Sequence, residues 1–165
     1  MNSKASINIR PAGIADSPLI LQFIKGLAEY EKLLHEVVAT ENSLAETLFG
    51  EKPGAEVLIA EWEGQAAGFA LFFSNYSTFL GRPGIYLEDL FVYPEYRGHG
   101  LGKALLARLA ALTVERKGGR LDWSVLDWNQ PSIDFYRSIG ANPLDGWTIF
   151  RLKGDALSAM AHNAD

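Results

Sequence analysis

The sequence predicts a mixed α/β fold with one hydrophobic core. Its 165 residues are a single-domain length, and a chain of this mass buries about 69% of its surface on folding. Hydrophobic residues make up 48% and charged residues 21%, as in ordinary globular proteins. The predicted elements run β, α, α, then an antiparallel meander, then β-α-β-α-β, which is not the repeating βαβ order of a parallel sheet. We therefore expect one domain that spans residues 1–165.

The first elements are a strand and two helices. Alternation over residues 6–10 predicts the strand. A helix is expected after Asp16, whose carboxylate can cap it. Its apolar stripe recurs at spacings of four, four and three, on Leu19, Phe23, Leu27 and Tyr30. A second helix is predicted from Thr40 to Gly50.

An antiparallel meander follows. The runs 57–62 and 67–73 read as strands joined by a glycine-containing turn. The next strand, 85–92, follows this meander and is interrupted by the adjacent carboxylates Glu88 and Asp89. Because successive strand residues face opposite sides of a sheet, we expect only one of these carboxylates to point into a given cleft.

The remaining elements alternate between helix and strand. A leucine stripe predicts a helix that ends near residues 118–119, on Leu101, Leu105, Leu109 and Leu112. Alternation predicts a strand over residues 121–126. A short helix over 131–138 is closed by Gly140, and residues 147–152 are predicted as a last strand.

Composition excludes several classes of function. The formal net charge is −5 and no basic run exceeds two residues, so a nucleic-acid partner is not expected. The absence of cysteine excludes disulfides, thiolate metal sites and a cysteine nucleophile. The histidines His35, His99 and His162 lack metal-ligand spacing, so no metal is expected. No apolar run is long enough for a membrane span, and residues 1–10 lack a secretory apolar segment, which predicts a soluble cytoplasmic protein.

The most informative motif is Arg97–Lys103, which follows the hydrophobic strand 85–92 and begins the leucine-striped helix. Glycines let the backbone approach a ligand, and a helix N-terminus favours a phosphate. Neither the dinucleotide spacing GxGxxG nor the P-loop spacing GxxxxGK[ST] fits these residues. The pattern that fits is Arg-x-x-Gly-x-Gly, at Arg97, Gly100 and Gly102. From the motif alone, an ordinary glycine-rich helix start stays open.

With its surroundings, the motif resembles the acetyl-CoA loop of the GNAT acetyltransferase superfamily. The closest resemblance is to the spermidine/spermine acetyltransferase family, and within it to the branch that includes thialysine acetyltransferases. The stretches that carry it are residues 9–12, 27–31, 68–69, 86–89, 96–98, 125–130 and 135–136. The resemblance extends to about Leu152. It implies the GNAT fold, with a mostly antiparallel sheet splayed open at Glu88–Val92 and flanked by helices, and a homodimer.

The resemblance also implies a reaction. An N-acetyltransferase of this family moves the acetyl group of acetyl-CoA to a primary amine of a small cationic acceptor by direct attack in a ternary complex. It assigns Glu88 as a base that acts through water and Tyr136 as the acid that protonates the leaving thiolate. Without the resemblance, Tyr136 reads as a core residue with its hydroxyl at the rim. Asp89 is expected to be a structural carboxylate at a strand bulge.

Binding residues follow from the same resemblance. The backbone amides of the strand should polarise the acetyl carbonyl and pair with the pantetheine, at Leu90, Phe91 and Val92. The diphosphate should lie on the loop formed by Arg97, Gly98, His99, Gly100, Leu101, Gly102 and Lys103. Asn129 and Ser132 should contact the CoA arm, although Asn129 alone reads as a helix cap. Tyr30, Glu31 and Glu88 should hold the acceptor amine, although Glu31 alone reads as part of a solvated helix face.

Two departures from the family bear on the acceptor. Phe79 stands where polyamine-acetylating relatives have tryptophan, and Asp145–Gly146 is shorter than their acidic loop. Both favour a thialysine-like or short diamine acceptor, while a polyamine stays as the alternative. A catalytically silent acyl-CoA-binding module is the alternative from another class, and the presence of both Glu88 and Tyr136 argues against it.

Overall fold

A computed structural model of the chain describes residues 6–164 and divides them into two compact units. The first unit ends at Leu126 and the second begins at Asp127. Residues 1–5 and 165 lie outside the described residues, and the single domain over 1–165 stays a prediction.

A five-stranded sheet organises the first unit, with its strands in chain order. The strands are β1 Ile7–Pro11, β2 Glu56–Trp62, β3 Gln65–Ser77, β4 Arg82–Val92 and β5 Leu121–Trp123. The first four pair antiparallel, and β5 joins β4 in parallel. This open, mostly antiparallel sheet confirms the predicted fold class. The fifth strand is shorter than the predicted 121–126.

Helices cover both faces of the sheet. They are α1 Ser17–Tyr30, α2 Glu41–Phe49 and α3 Leu101–Glu115. On one face, α1 and α2 bury a cluster in which the rings of Phe23 and Phe69 stack at 5.2 Å. On the other face, α3 buries Leu105 and Leu109. The apolar stripes predicted for α1 and α3 therefore both face the sheet and contribute to the hydrophobic core.

The start of α2 is as expected, but that of α1 is not. The Thr40 hydroxyl accepts from the Ser43 amide at 3.1 Å, which caps α2. Asp16 makes no side-chain cap to α1. Its carboxylate accepts two bonds from the Arg10 guanidinium, at 2.9 and 3.0 Å, and one from the Gly13 amide at 2.8 Å. The prediction of an Asp16 cap was wrong because a charged donor from β1 outcompetes the helix amides.

The second unit contains α4 Gln130–Ser138 and α5 Gly154–Ala161. Gly140 closes α4 with a positive φ of 90°, as expected. The strand predicted over 147–152 is absent, and Trp147 and Phe150 are 76% and 92% exposed. An alternating apolar segment forms a strand only beside another strand, and the described part of this unit contains only helices. Within residues 6–164, no helix combines the length and apolar character needed to cross a membrane.

Candidate active site

The glycine-rich loop connects the end of β4 to α3. Gly98 and Gly100 have positive φ values of 82° and 87°, a conformation that favours glycine. A Cβ atom built on Gly98, Gly100 or Gly102 would meet no other atom within 4 Å. The three glycines therefore face open space, where a ligand could approach the backbone.

The loop also presents a row of backbone donors. The N–H groups of residues 98–103 donate to no backbone carbonyl within the described residues, and the first bond of α3 runs from the Ala104 amide to the Gly100 carbonyl at 2.9 Å. These donors coincide with the partial positive charge at the start of a fifteen-residue helix. The arrangement suits a diphosphate.

A bulge in β4 sets the directions of its two carboxylates. Leu87 pairs with Phe72 and Asp89 pairs with Leu71, so Glu88 is the extra residue. Leu71 and Phe72 face opposite sides of β3, and Leu87 and Asp89 therefore also face opposite sides. The alternation slips at Glu88, so that Glu88 and Asp89 both project from the face that carries α1. The bulge expected at Asp89 is present in the register, whereas the expectation that only one of the two carboxylates could point into a cleft assumed an unbroken strand.

The carboxylates on this face influence one another. Burial, followed by the charges of Glu88 and Glu31, raises the pKa of Asp89 to about 6. Burial also raises the pKa of Glu31, which lies directly after α1. A bound cation would offset both the burial of Asp89 and the repulsion that its neighbours exert on it, so this face can accommodate an ammonium ion. Among residues 6–164, no three His, Asp or Glu side chains form a group that could hold a metal.

Beside the loop, β4 has an open edge. Its pairing with β5 ends where Leu87 lies opposite Trp123. The Tyr93 amide donates to the Ala67 carbonyl at 2.9 Å, and the antiparallel alternation then directs the Phe91 backbone toward β3. The backbones of Leu90 and Val92 face the open edge instead. Of the three amides expected to meet the pantetheine, two are directed toward ligand space and the Phe91 amide is directed into the sheet.

Arg97 joins the loop to the end of α1. Its Nε donates to the Val92 carbonyl at 2.9 Å, and its guanidinium lies 5.1 Å from the ring centroid of Tyr30 and 5.7 Å from that of Phe91. The structure therefore brings together the predicted residues Tyr30, Glu31 and Arg97 with the end of β4. Lys103 lies in the first turn of α3 and Leu101 is buried beneath it.

The other predicted site residues lie in the second unit. Tyr136 is half-buried on α4, with its ring centroid 5.6 Å from that of Phe135. Asn129 is buried, and its Oδ1 accepts from the Ser132 amide at 3.4 Å. This is the helix cap that its position before α4 suggested. The roles of Tyr136, Asn129 and Ser132 toward acetyl-CoA stay predictions.

Sequence reasoning missed one contact of the loop. The imidazole of His99 stacks on the indole of Trp62, with ring centroids 4.3 Å apart and an interplanar angle of 26°. Trp62 ends β2, far from the loop in sequence. No local motif links the two residues, and only the strand order and the position of α3 could have revealed the contact.

Comparison with known proteins assigns the family. Residues 25–141 match the acetyltransferase (GNAT) family. The chain is 40% identical to a thialysine N-epsilon-acetyltransferase of Sus scrofa, over 95% of this chain and 98% of that protein. It is 34% identical to the L-ornithine N5-acetyltransferase NATA1 of Arabidopsis thaliana, over 92% of this chain and 86% of that protein. Among solved structures, an integron cassette protein of V. cholerae superposes with a TM-score of 0.79 at 28% identity, covering 94% of this chain and 98% of that one.

The chain belongs to the acetyltransferase (GNAT) family. It is an N-acetyltransferase, and the predicted family and enzyme class are confirmed.

Proposed function

We propose that this enzyme transfers the acetyl group of acetyl-CoA to the side-chain amine of a small cationic acceptor, such as thialysine, lysine or a short diamine. The observation that carries the proposal is the row of available N–H groups at residues 98–103 beside an acidic face. The relatives named for thialysine and ornithine support the acceptor class, because both compounds are small amino acids with a second amine.

The loop fits the diphosphate of acetyl-CoA. Its glycines leave room for the phosphates, and its amides can donate to several oxygens at once. The open-edge amides of Leu90 and Val92 can pair with the pantetheine arm as a strand would. The bound acetyl-CoA supplies a thioester, whose acetyl carbon is the target of the amine.

The acidic face lies where it can help the acceptor amine to lose its proton, which the amine must do before it attacks the thioester. A primary alkyl amine with a pKa of about 10.4 is only about 0.04% neutral at pH 7, which corresponds to about 4.6 kcal/mol. Glu31 and Asp89 can hold the ammonium form near the site. Glu88, exposed at the bulge, is placed to order water and to accept the proton as the amine loses its own hydration.

The leaving thiolate needs a proton donor, and the family resemblance assigns this role to Tyr136. A phenol of pKa about 10 and a thiol of about 8.5 are close enough for efficient proton transfer. Since the chain has no cysteine, no acetyl-cysteine can form, which favours direct attack in a ternary complex. The homodimer and the cytoplasmic location stay predictions.

An acceptor screen tests the proposal. The purified chain is mixed with acetyl-CoA and each of thialysine, lysine, ornithine, putrescine, spermidine and spermine, and thiol release is measured against an amine-free control. We expect a small diamino compound to give the highest kcat/KM. Spermine as the best acceptor by tenfold would restore the polyamine alternative. Acetyl-CoA binding in calorimetry without thiol release for any amine would indicate a silent binding module.

A further inference from the structure

The stack between Trp62 and His99 joins the end of strand β2 to the glycine-rich loop. Trp62 is half-buried at the end of β2, where it pairs with Ile7 on one side and Gln65 on the other. The turn after it is tight, with positive φ at Glu63 and Gly64. The indole is therefore presented by backbone that is held from both neighbouring strands.

His99 is the side chain at the centre of the glycine-rich loop. Its neighbours Gly98 and Gly100 have no side chains to anchor them. The loop is fixed at one end by the bond from Arg97 to the Val92 carbonyl and at the other by Leu101, which is 1% exposed. Between these ends, the His99 ring is the group that contacts the sheet side chain of Trp62.

We infer that Trp62 is a positioning residue for acetyl-CoA: by stacking on His99, it holds the loop with its N–H groups available to the diphosphate before the ligand arrives. The inference rests on the proposed function. Glycine loses more backbone entropy on ordering than any other residue. A loop with two such glycines therefore loses much conformational entropy on binding if it becomes ordered only when the ligand binds. A loop already held in place avoids that loss and binds more tightly.

The inference predicts a specific pattern of affinities. Without the stacked pair the loop has to order on binding, so Trp62→Leu should weaken acetyl-CoA binding by about three- to tenfold in calorimetry. Trp62→Phe preserves a stacking surface and should restore most of the affinity. The KM for acetyl-CoA should rise by the same factor in Trp62→Leu, whereas kcat at saturating acetyl-CoA should stay within about twofold, because Trp62 does not contact the reacting atoms.

A double-mutant cycle with His99→Ala separates the stack from general damage. If the contact is responsible, the double variant should bind no more weakly than the weaker single variant. His99 is exposed, so His99→Ala should fold even if Trp62→Leu does not. In that case His99→Ala is compared with His99→Phe, which keeps an aromatic ring over Trp62. If the stack holds the loop, His99→Phe should bind acetyl-CoA more tightly than His99→Ala does.

A truncated acetyl donor distinguishes a role of Trp62 in binding the diphosphate from a general structural role. Acetyl-N-acetylcysteamine carries the thioester without the diphosphate, so Trp62→Leu should use it as well as the wild type does. Tyr76→Leu, an exposed aromatic change elsewhere on the sheet, serves as the matched control. An additive cycle, or equal losses with acetyl-CoA and the truncated donor, overturns the inference. Failure of the wild-type chain to bind acetyl-CoA overturns the proposed function instead.

Discussion

The charge of Glu31, directly after α1, acts on Asp89, beyond the bulge of β4: burial raises the pKa of Asp89 most, and the charges of Glu88 and Glu31 raise it further. Two acidic groups from different elements thus converge on one face of the sheet. This arrangement opposes folding unless a proton or a cation offsets the burial and the repulsion of the carboxylates, and it leads to one prediction about stability and one about cation binding.

The first prediction concerns stability against pH. Because the pKa of Asp89 is about 6 in the folded chain and about 4 in an unfolded one, its proton stabilises the folded state below about pH 4. This stabilisation is lost as the pH rises to about 6. We expect Asp89→Asn to be more stable than the wild type at pH 7, by about 1–3 kcal/mol, and to show little difference at pH 4. Urea unfolding at the two pH values measures this.

The exposed Asp134, replaced by Asn, is the control for that experiment. It should leave the difference between pH 4 and pH 7 as in the wild type. A stability of Asp89→Asn that follows the wild type at both pH values would contradict the raised pKa of Asp89.

The second prediction addresses cation binding. Glu31→Gln keeps the size of the side chain but removes its charge, so the KM for a cationic acceptor should rise by about three- to tenfold, since a partly desolvated pair with an ammonium is stronger than an exposed one. The KM for acetyl-CoA should change little. Initial rates at fixed ionic strength separate the two constants, and an unchanged acceptor KM would remove Glu31 from the acceptor site.

The third prediction tests the diphosphate loop. Gly102 lies inside α3 and has no positive φ, and space at its Cβ is open. Gly102→Val should therefore fold with nearly unchanged thermal stability, but its side chain should occupy the place of the ligand and weaken acetyl-CoA binding at least tenfold. Gly13→Val, which also points into open space but lies outside the loop, is the control. Calorimetry that finds normal binding by folded Gly102→Val would refute the loop assignment.

The fourth prediction concerns the acid. Tyr136→Phe removes only a hydroxyl, and loss of one general acid lowers a rate by about 10²–10⁴. Acetyl-CoA affinity should stay within about twofold. Turnover at the pH optimum measures the effect, with Phe135→Leu as a neighbouring control for packing on α4. Normal turnover by Tyr136→Phe would exclude it as the proton donor.

Much of the fold and part of the candidate site could be predicted from short-range patterns in the sequence. The helix stripes, the cap at Thr40 and the glycine spacing from Arg97 to Lys103 each depend on residues within a few positions of one another. Such features are set by backbone geometry and by periodic burial, which a single sequence exhibits directly.

The features that could not be predicted depend on distant partners. A bulge was expected at Asp89, but its effect on the direction of Glu88 is visible only in the register of β4 against β3. The contact of Trp62 with His99 depends on how α3 lies on the sheet. Asp16 prefers Arg10 to the helix amides for the same reason, since the guanidinium arrives from another element. The strand predicted over 147–152 was wrong for a related reason. Alternation of apolar residues is typical of a strand, but it does not show whether another strand is available to pair with it.

The open edge of β4 has a consequence for solubility. After Leu87, this edge of β4 pairs with no other strand among residues 6–164, and an unpaired strand edge can template a strand of another molecule, which is a route to aggregation. Arg97 lies across this edge on the Val92 carbonyl, and its permanent charge makes the approach of a second backbone unfavourable. The side chain that anchors one end of the loop therefore also makes this strand edge a poor template for a strand of a second molecule.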